Sequence, residues 1–391
     1  MESFDVIVIG AGPAGGSAAW HAALKKLSVL VLEEHPAVGV PVHCGECLSD
    51  IAAAKLPAPL PESVISKHVD GVRIIFPNKK ISTLYEKGFV LEKHLWEQWI
   101  MGEAVKEGAV LKTNARVTGL ERNEKTWAVS VNNNQEQFEG KILIDASGPA
   151  ALSSRLLQFN ERPKMVTGFQ YEMEDIPQEA FLDFYLWPRL APEGYLWMIP
   201  KSRGRANVGL VTTDTGKAKI YTDQFIKEMG WEDRKINKPF GGLIPESGPV
   251  KRTFAESLML VGDAAGFTSP MFEGGSHLGI MSGKYAAQVA AEAIAQNNFS
   301  NETFSHYKAL WASAFPKYNK LIEGKNAFYH FTEKELNDFA GLLPENLSAM
   351  TGMQKLGIGA RILLQYRHLL GKHVLAAFNA FGYSQAEFYG W

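Results

Sequence analysis

The sequence predicts an α/β protein in which a parallel, nucleotide-type sheet is interrupted by an inserted antiparallel sheet and followed by a helical C-terminal region. Three observations predict it. The run Asp5–Ile9, DVIVI, passes straight into the glycines of GAGPAG. Two later runs, Ile142–Gly148 (ILIDASG) and Leu258–Met271 (LMLVGDAAGFTSPM), repeat that break from apolar strand to glycine. Between them lie alternating segments dense in large rings. A chain of 391 residues with 46% hydrophobic content can bury a sizeable core and is long enough for more than one domain.

Taken in order, DVIVI is near-continuously apolar and β-branched, as a parallel strand buried on both faces must be. Gly10, Gly12 and Gly15, with Ala14 among them, then form GxGxxG. The glycines let backbone approach a pyrophosphate, and the helix that follows offers free N–H groups and the positive end of its dipole. Ala14, Ala18 and Ala22 recur at helical spacing and suit close packing. Glycines also serve tight turns that bind nothing. Here, however, a second apolar run, Val29–Leu32, ends at Glu33, where a carboxylate can accept hydrogen bonds from an adenosine ribose. Each such charged bond contributes about 1.5 to 3 kcal/mol. Strand, glycine loop, helix, strand and acid together specify a dinucleotide in a Rossmann-like domain.

The downstream runs narrow the dinucleotide. Ile142–Gly148 reads as a further strand of the same sheet. Leu258–Met271 places Asp263 at a strand end and leads through Phe272, Glu273, Gly274 and Gly275 into a long helix, Ser276–Gln296, whose N-terminal amides would face an electron-rich ring. A nicotinamide enzyme needs no such late return to the nucleotide, whereas a flavin stretched across the protein does.

Charge and composition exclude other classes. Lys and Arg total 40 against 42 Asp and Glu, so the net charge of -2 gives no bulk attraction to polyanions, and nucleic acid is not expected as a partner. MESFDVIVIG carries acids where an export signal would carry bases. No window reaches the roughly 18 uninterrupted apolar residues of a membrane span. Two cysteines in so long a chain argue against a disulfide framework and suit a reducing cytoplasm.

Both cysteines fall in one loop, Gly39–Asp50, GVPVHCGECLSD. From the residues alone, Cys44 and Cys47 could be half of a zinc site completed by His43 or distant ligands, a redox dithiol, or buried inert thiols. The ring-rich insertion is read as strands over Val166–Met173, Ala180–Trp187, Arg205–Thr212 and GYLWMIPK. In the last of these, Tyr195 and Trp197 share one face and Leu196 and Met198 the other. Most rings in these strands, including Phe169, Tyr171, Phe181, Phe184, Tyr185 and Trp187, are expected to be core.

The combination of GAGPAG, Glu33, DASG and GDAAGF resembles the FAD-dependent oxidoreductases of the para-hydroxybenzoate hydroxylase type, over residues 1 to about 296. Within that superfamily, APEGYLWMIPKSRGRANVGLV (Ala191–Val211) resembles the YxWxFPK motif of the geranylgeranyl reductases, with Ile199 in place of Phe, and Gly39–Ser49 resembles their PxxCGExLS loop. The resemblance implies FAD as cofactor. It implies contacts to FAD from Gly10, Gly12, Ala14, Gly15, Glu33, Cys44, Gly45, Lys93, Val117, Asp263, Gly274 and Gly275, with Asp263 on the ribityl chain. Lys93 stands where the superfamily usually has Arg, offering charge without a bidentate fork. Glu34 and His35 replace the basic residues that often follow the ribose acid.

Cys44 matches the cysteine that lies by flavin and substrate, so Cys44 is the implied proton donor and Glu46 a second. Tyr195, Trp197, Pro200 and Cys47 are implied to bind substrate, and no metal is implied. Cys47 stands where the family has Gly, which raises the hypothesis of a reversible Cys44–Cys47 disulfide, testable by thiol titration. The implied activity is saturation of geranylgeranyl double bonds by hydride from reduced flavin, on ether-lipid precursors. Burying a C20 chain at about 0.8 kcal/mol per methylene could contribute on the order of ten kcal/mol before association costs. The alternatives are an aromatic monooxygenase, which would share every FAD motif, and a redox-silent prenyl-binding protein or cyclase.

No second strand-GxGxxG unit marks a nicotinamide domain, so the expected electron donor is NAD(P)H bound transiently or ferredoxin. The expected organisation is an FAD domain over 1–65, 90–165 and 245–300, a substrate sheet over 66–89 and 166–244, and helices over 301–391. Those helices are expected to break near Gly341–Pro344 and Gly352–Gly359. Their aromatics read as packing or, alternatively, as a lid. Lys355, Arg361, Arg367, His368, Lys372 and His373 could meet anionic headgroups, giving a cytoplasmic protein peripheral to the inner face of the cell membrane.

Overall fold

The protein is described by a computed structural model covering residues 1–348, 352–372, 374–383 and 386–391. Its first sheet is the parallel one. The strand Glu2–Ile9 pairs in parallel with Val29–Leu32 on one side and Glu136–Asp145 on the other, and Val110–Lys112 and Leu258–Leu260 extend the order outward. The register aligns Ile9 with Leu32 and Asp145, Leu32 with Lys112, and Asp145 with Leu260. The carboxyl ends of these strands therefore share one edge, and the glycine loop, Glu33, DASG and GDAAGF all open there. That edge is where an open parallel sheet binds its ligand. Val6, Ile7 and Val8 are fully buried, as their unbroken apolar run requires.

The first helix, Pro13–Leu24, has almost no polar face because the sheet and the helix Ser276–Gln296 enclose it. Its small residues serve that second contact. A Cβ on Gly283 would lie 2.4 Å from the Ala14 carbonyl oxygen, so the two helices meet backbone to backbone.

The second sheet has seven strands in the order Ile236–Pro245, Met165–Met173, Ala206–Thr212, Tyr195–Pro200, Phe181–Tyr185, Gly71–Ile75 and Ile81–Leu84. It is antiparallel except at one seam, where Phe181–Tyr185 runs parallel to Gly71–Ile75, a departure from the purely antiparallel expectation. The other two strands of the early excursion, Ile65–Val69 and Gly88–Leu91, instead pair with Cys47–Ser49 in a small third sheet. Cys47 thus begins a strand.

The faces of Tyr195–Pro200 divide as the alternation predicts. Leu196 and Met198 join Tyr171, Tyr185, Trp187, Phe225 and Trp231 in a separate core under the helix Ala218–Glu228. Tyr195, Trp197 and Ile199 face the main core.

Among the described residues, several C-terminal aromatics pack into the core. Phe267, Trp311 and Phe315 form one ring cluster, and Phe76, Phe328, Phe331 and Phe339 another. The helix Glu333–Leu342 stops near the expected break, before Pro344. The break expected at Gly352–Gly359 does not occur, because a helix runs continuously from Gly352 to Gln365. Gly357 and Gly359 have open space where a side chain would stand, and such glycines cost a helix only about 1 kcal/mol each. Among the described residues no helix is long and apolar enough to cross a membrane.

Candidate active site

The nucleotide end is built from backbone. Gly10 has a φ of +95°, and a Cβ there would lie 2.5 Å from the Ala146 carbonyl oxygen; one on Gly15 would lie 2.0 Å from the Gly10 carbonyl oxygen. Neither position admits a side chain. At Gly12, by contrast, nothing stands within 4 Å of the added Cβ. The Pro13–Leu24 helix carries no side-chain N-cap and no acid in its first turn, so its leading N–H groups point at that open space. Glu33 Oε2 accepts the Ala11 N–H at 2.8 Å, and Oε1 accepts the His35 N–H at 2.9 Å. His35 Nδ1 also lies 2.7 Å from Oε1, so it is Oε2 that keeps a lone pair for a ribose. Val117 is buried at the start of its strand and lines, with Arg116, Asn132 and Arg155, a cleft of about 650 Å³.

The far end is built from Asp263, Lys93 and the Gly275 turn. Asp263 accepts the Thr268 hydroxyl at 2.9 Å, and a Cβ on Gly275 would lie 3.3 Å from Asp263 Oδ1. Burial pushes the Asp263 carboxyl up, with the Lys93 charge pulling the other way. Lys93 is buried, pairs with Glu97 at 2.6 Å and is held in its charged form despite burial. The helix Ser276–Gln296 also lacks a side-chain N-cap. These features fit a flavin nucleotide laid from Gly12 to Gly275. Gly274 differs from expectation: its open side is taken by the Trp391 main chain, 2.6 Å from a would-be Cβ.

The cysteine loop lies against the second sheet. Trp197 Nε1 donates to Gln170 Oε1 at 2.8 Å, and Gln170 Nε2 donates to the Cys44 carbonyl oxygen at 2.7 Å. One glutamine thus ties the ring-bearing strand to the thiol loop. The fit at Gly45 is tight, with a would-be Cβ 2.9 Å from Ile199 Cδ1. Cys44 Sγ accepts the Glu46 N–H at 3.2 Å, and Cys47 Sγ donates to the Gly45 carbonyl oxygen at 3.7 Å. Both thiols are free, and burial pushes both up, Cys47 further. They are protonated thiols rather than ready thiolates, which disfavours dithiol exchange. Among the described residues no three metal-ligating side chains converge.

Glu46, expected as a second proton donor, has both carboxyl oxygens engaged as acceptors. Its Oε1 accepts the Lys93 backbone N–H at 3.0 Å, capping the helix Lys93–Lys106, whose own N-cap side chain makes no such bond. Its Oε2 accepts Lys201 Nζ at 2.5 Å and Asn207 Nδ2 at 2.8 Å. Lys201 is only 2% exposed and also faces Glu92 at 3.2 Å and Glu172 at 3.6 Å, with Arg205 joining the same two acids. Lys201, Gln170 and Asn207 were not singled out from sequence. Lys201 follows Pro200, which is buried and closes the strand, so the motif's proline and lysine work as a strand end and a loop anchor.

Beyond Trp197, the Tyr195 ring packs edge-on against Phe184 at 5.3 Å and Phe272 at 5.4 Å, and its hydroxyl donates to the Phe272 carbonyl oxygen at 2.8 Å. Tyr195 and Trp197 rings are 5.8 Å apart. The result is an apolar wall running from the thiol loop to the Phe272–Gly275 turn.

Comparison with known proteins agrees with this geometry. A model of the geranylgeranyl reductase catalytic domain matches residues 164–242, and one of FAD dependent oxidoreductases matches 5–155. The digeranylgeranylglycerophospholipid reductase of Methanococcus vannielii is 32% identical over 363 residues, covering 88% of this chain and 92% of the relative. That of Methanocaldococcus jannaschii is 31% identical over 371 residues, covering 89% and 93%. The crystal structure of a geranylgeranyl bacteriochlorophyll reductase-like protein from Thermoplasma acidophilum superposes with a TM-score of 0.87 at 28% identity, over 96% of this chain and 100% of that one. A flavin-dependent brominase, at a TM-score of 0.70 and 17% identity, shares the fold alone. Relatives this similar, spanning most of both chains, establish that this chain belongs to the digeranylgeranylglycerophospholipid reductase family of FAD-dependent oxidoreductases.

Proposed function

We propose that the chain saturates the double bonds of geranylgeranyl chains on ether-linked glycerophospholipid precursors, with Cys44 as proton donor. Bound FAD in its reduced state supplies the hydride. An isolated alkene has no electron sink, so the carbon that does not receive hydride must be given a proton. The observation that carries the reading is the Trp197–Gln170–Cys44 link, which fixes a protonated thiol at one end of an apolar ring wall. Tyr195 and Trp197, both nearly inaccessible, keep water from that wall. Lys201 and Glu46 hold the loop so that the thiol does not wander.

Delivery of so apolar a substrate calls for a membrane surface. Leu363, Leu364, Leu370 and Leu375 are exposed on the C-terminal helices and suit insertion among lipids. The basic residues expected there are partly occupied: Arg361 donates to the Gly341 carbonyl oxygen, Arg367 to that of Leu363, and His368 pairs with Asp338. His373 lies outside the described residues, as do the Lys355 and Lys372 side chains. Contact is therefore read as mainly apolar, and the electron donor as NAD(P)H or ferredoxin.

The test is anaerobic reduction of the FAD-loaded protein with dithionite, addition of a digeranylgeranyl glycerophospholipid, and mass spectrometry of the lipid. A mass gain of one dihydrogen per double bond supports the reading. Unchanged lipid alongside oxygen-dependent hydroxylation of an aromatic acid overturns it.

A further inference from the structure

Three glycines from distant parts of the chain meet at one junction, and none of them has room for a side chain. A Cβ on Gly274 would lie 2.6 Å from the main-chain carbonyl carbon of Trp391, and one on Gly88 would run into the Trp391 ring. One on Gly390, at φ +59°, would lie 2.6 Å from both the Ala52 Cβ and the His277 Cβ. A side chain at any of the three would lift the segment Ala386–Trp391 off its seat.

Hydrogen bonds fix the same seat. The Gly390 carbonyl oxygen accepts the Ser49 N–H at 3.0 Å, and Ser49 is the last residue of the strand Cys47–Ser49. Glu86 Oε2 accepts the Ala386 N–H at 2.9 Å and the Trp391 Nε1–H at 3.0 Å, so one oxygen holds the segment at two points. Gly390 is buried, and Trp391 packs partly buried against the main core.

What the junction joins gives it a role. On one side stands the strand that begins at Cys47, and on the other stand the Gly274–Gly275 turn and His277, in the first turn of the helix Ser276–Gln296. Gln170, and Lys201 by way of Glu46, tie the thiol loop to the second sheet. Gly390 and Trp391 tie the far end of that loop to the turn that fits the flavin.

We propose that Gly390 and Trp391 are positioning residues that set the gap between the thiol loop and the flavin turn, with Glu86 as their latch. The inference rests on the reading of Cys44 as donor. Proton donation from the thiol is productive only while one alkene reaches both it and the bound flavin, and a misplacement of about 1 Å can cost on the order of a hundredfold in rate.

The test uses the FAD-loaded protein and two readouts. Without lipid, alkylation of Cys44 and Cys47, located by mass spectrometry, should run at least about tenfold faster in Trp391→Ala and in Glu86→Ala than in the wild type, since each variant loses bonds that keep the segment seated. Glu86→Gln keeps an acceptor oxygen and should stay within about twofold of the wild type. With a digeranylgeranyl glycerophospholipid and excess dithionite under anaerobic conditions, both alanine variants should lower kcat at least about tenfold and keep KM within about threefold, while binding FAD as the wild type does. Unchanged alkylation or unchanged kcat in both alanine variants, a Glu86→Gln variant as impaired as Glu86→Ala, or release of FAD from either alanine variant would overturn the proposal. Wild-type protein whose thiols are shielded, and are exposed in the alanine variants, but which reduces no lipid would sink the substrate reading while leaving the junction in place.

Discussion

Glu46 and Glu273 are the same residue type in closely similar settings, and they do opposite things. Both sit at positive φ beside a glycine, at +74° and +50°, both are buried, and both face a buried lysine. Glu46 accepts bonds from the Lys93 N–H, Lys201 and Asn207, and the lysine facing it is given over to the acids of one cluster. Glu273 must share Lys325 with Glu246 and leaves one oxygen unpartnered. A fully partnered carboxylate fixes backbone, whereas a half-partnered one keeps its proton and can give it up. The difference lies in the number of donors aimed at each acid, which no local sequence pattern displays.

Removing the shared donor of the first cluster should have the largest effect. Lys201→Met leaves the buried Glu46 without its ion-pair partner, and Glu92 and Glu172 with Arg205 alone, and should cost about 3 to 5 kcal/mol in urea unfolding. A loss under about 1 kcal/mol would mean that the cluster is not the anchor described.

The second cluster should reveal itself through pH. The folded-state value for Glu273 lies above its ordinary value of 4.5, at about 7, so between those limits the folded protein binds more protons than the unfolded chain. Its contribution therefore weakens stability as pH rises through that window, by about 3 kcal/mol in all. Glu273→Gln should flatten that decline. Unfolding curves with the same pH slope in both proteins would show that Glu273 titrates normally.

A smaller effect is expected between the clusters. Tyr195→Phe removes the hydroxyl bonded to the Phe272 carbonyl oxygen and should cost about 1 kcal/mol of stability while keeping the ring wall. A variant as stable as the wild type would show that this bond contributes nothing to the fold.

How much of this was legible beforehand follows from range. The parallel sheet and its glycine edge were readable because each signal is local: an apolar β-branched run, a glycine at the break, an acid at the next strand end. The facing of Tyr195 and Trp197 was readable for the same reason, since alternation along one strand fixes it. The engagement of Glu46 is hidden from local pattern because its partners, Lys201 just past a strand end and Asn207 within the next strand, lie far along the chain. Gln170 was overlooked because a single polar residue in an apolar strand carries no pattern, although it joins Trp197 to Cys44. The third sheet was missed because Cys47–Ser49 is a three-residue strand with no periodicity to detect. The continuous Gly352–Gln365 helix is hard to read from sequence because its glycines look like breaks although helix-forming residues surround them.

The central claim is that the Cys44 thiol donates the proton at a lipid site beside the flavin, and single-turnover oxidation of the reduced holoprotein by a geranylgeranyl lipid tests it most directly in Cys44→Ala. The account predicts unchanged FAD binding and at least about a hundredfold slower flavin oxidation by lipid. Oxidation at the wild-type rate, with the lipid fully saturated, would contradict it.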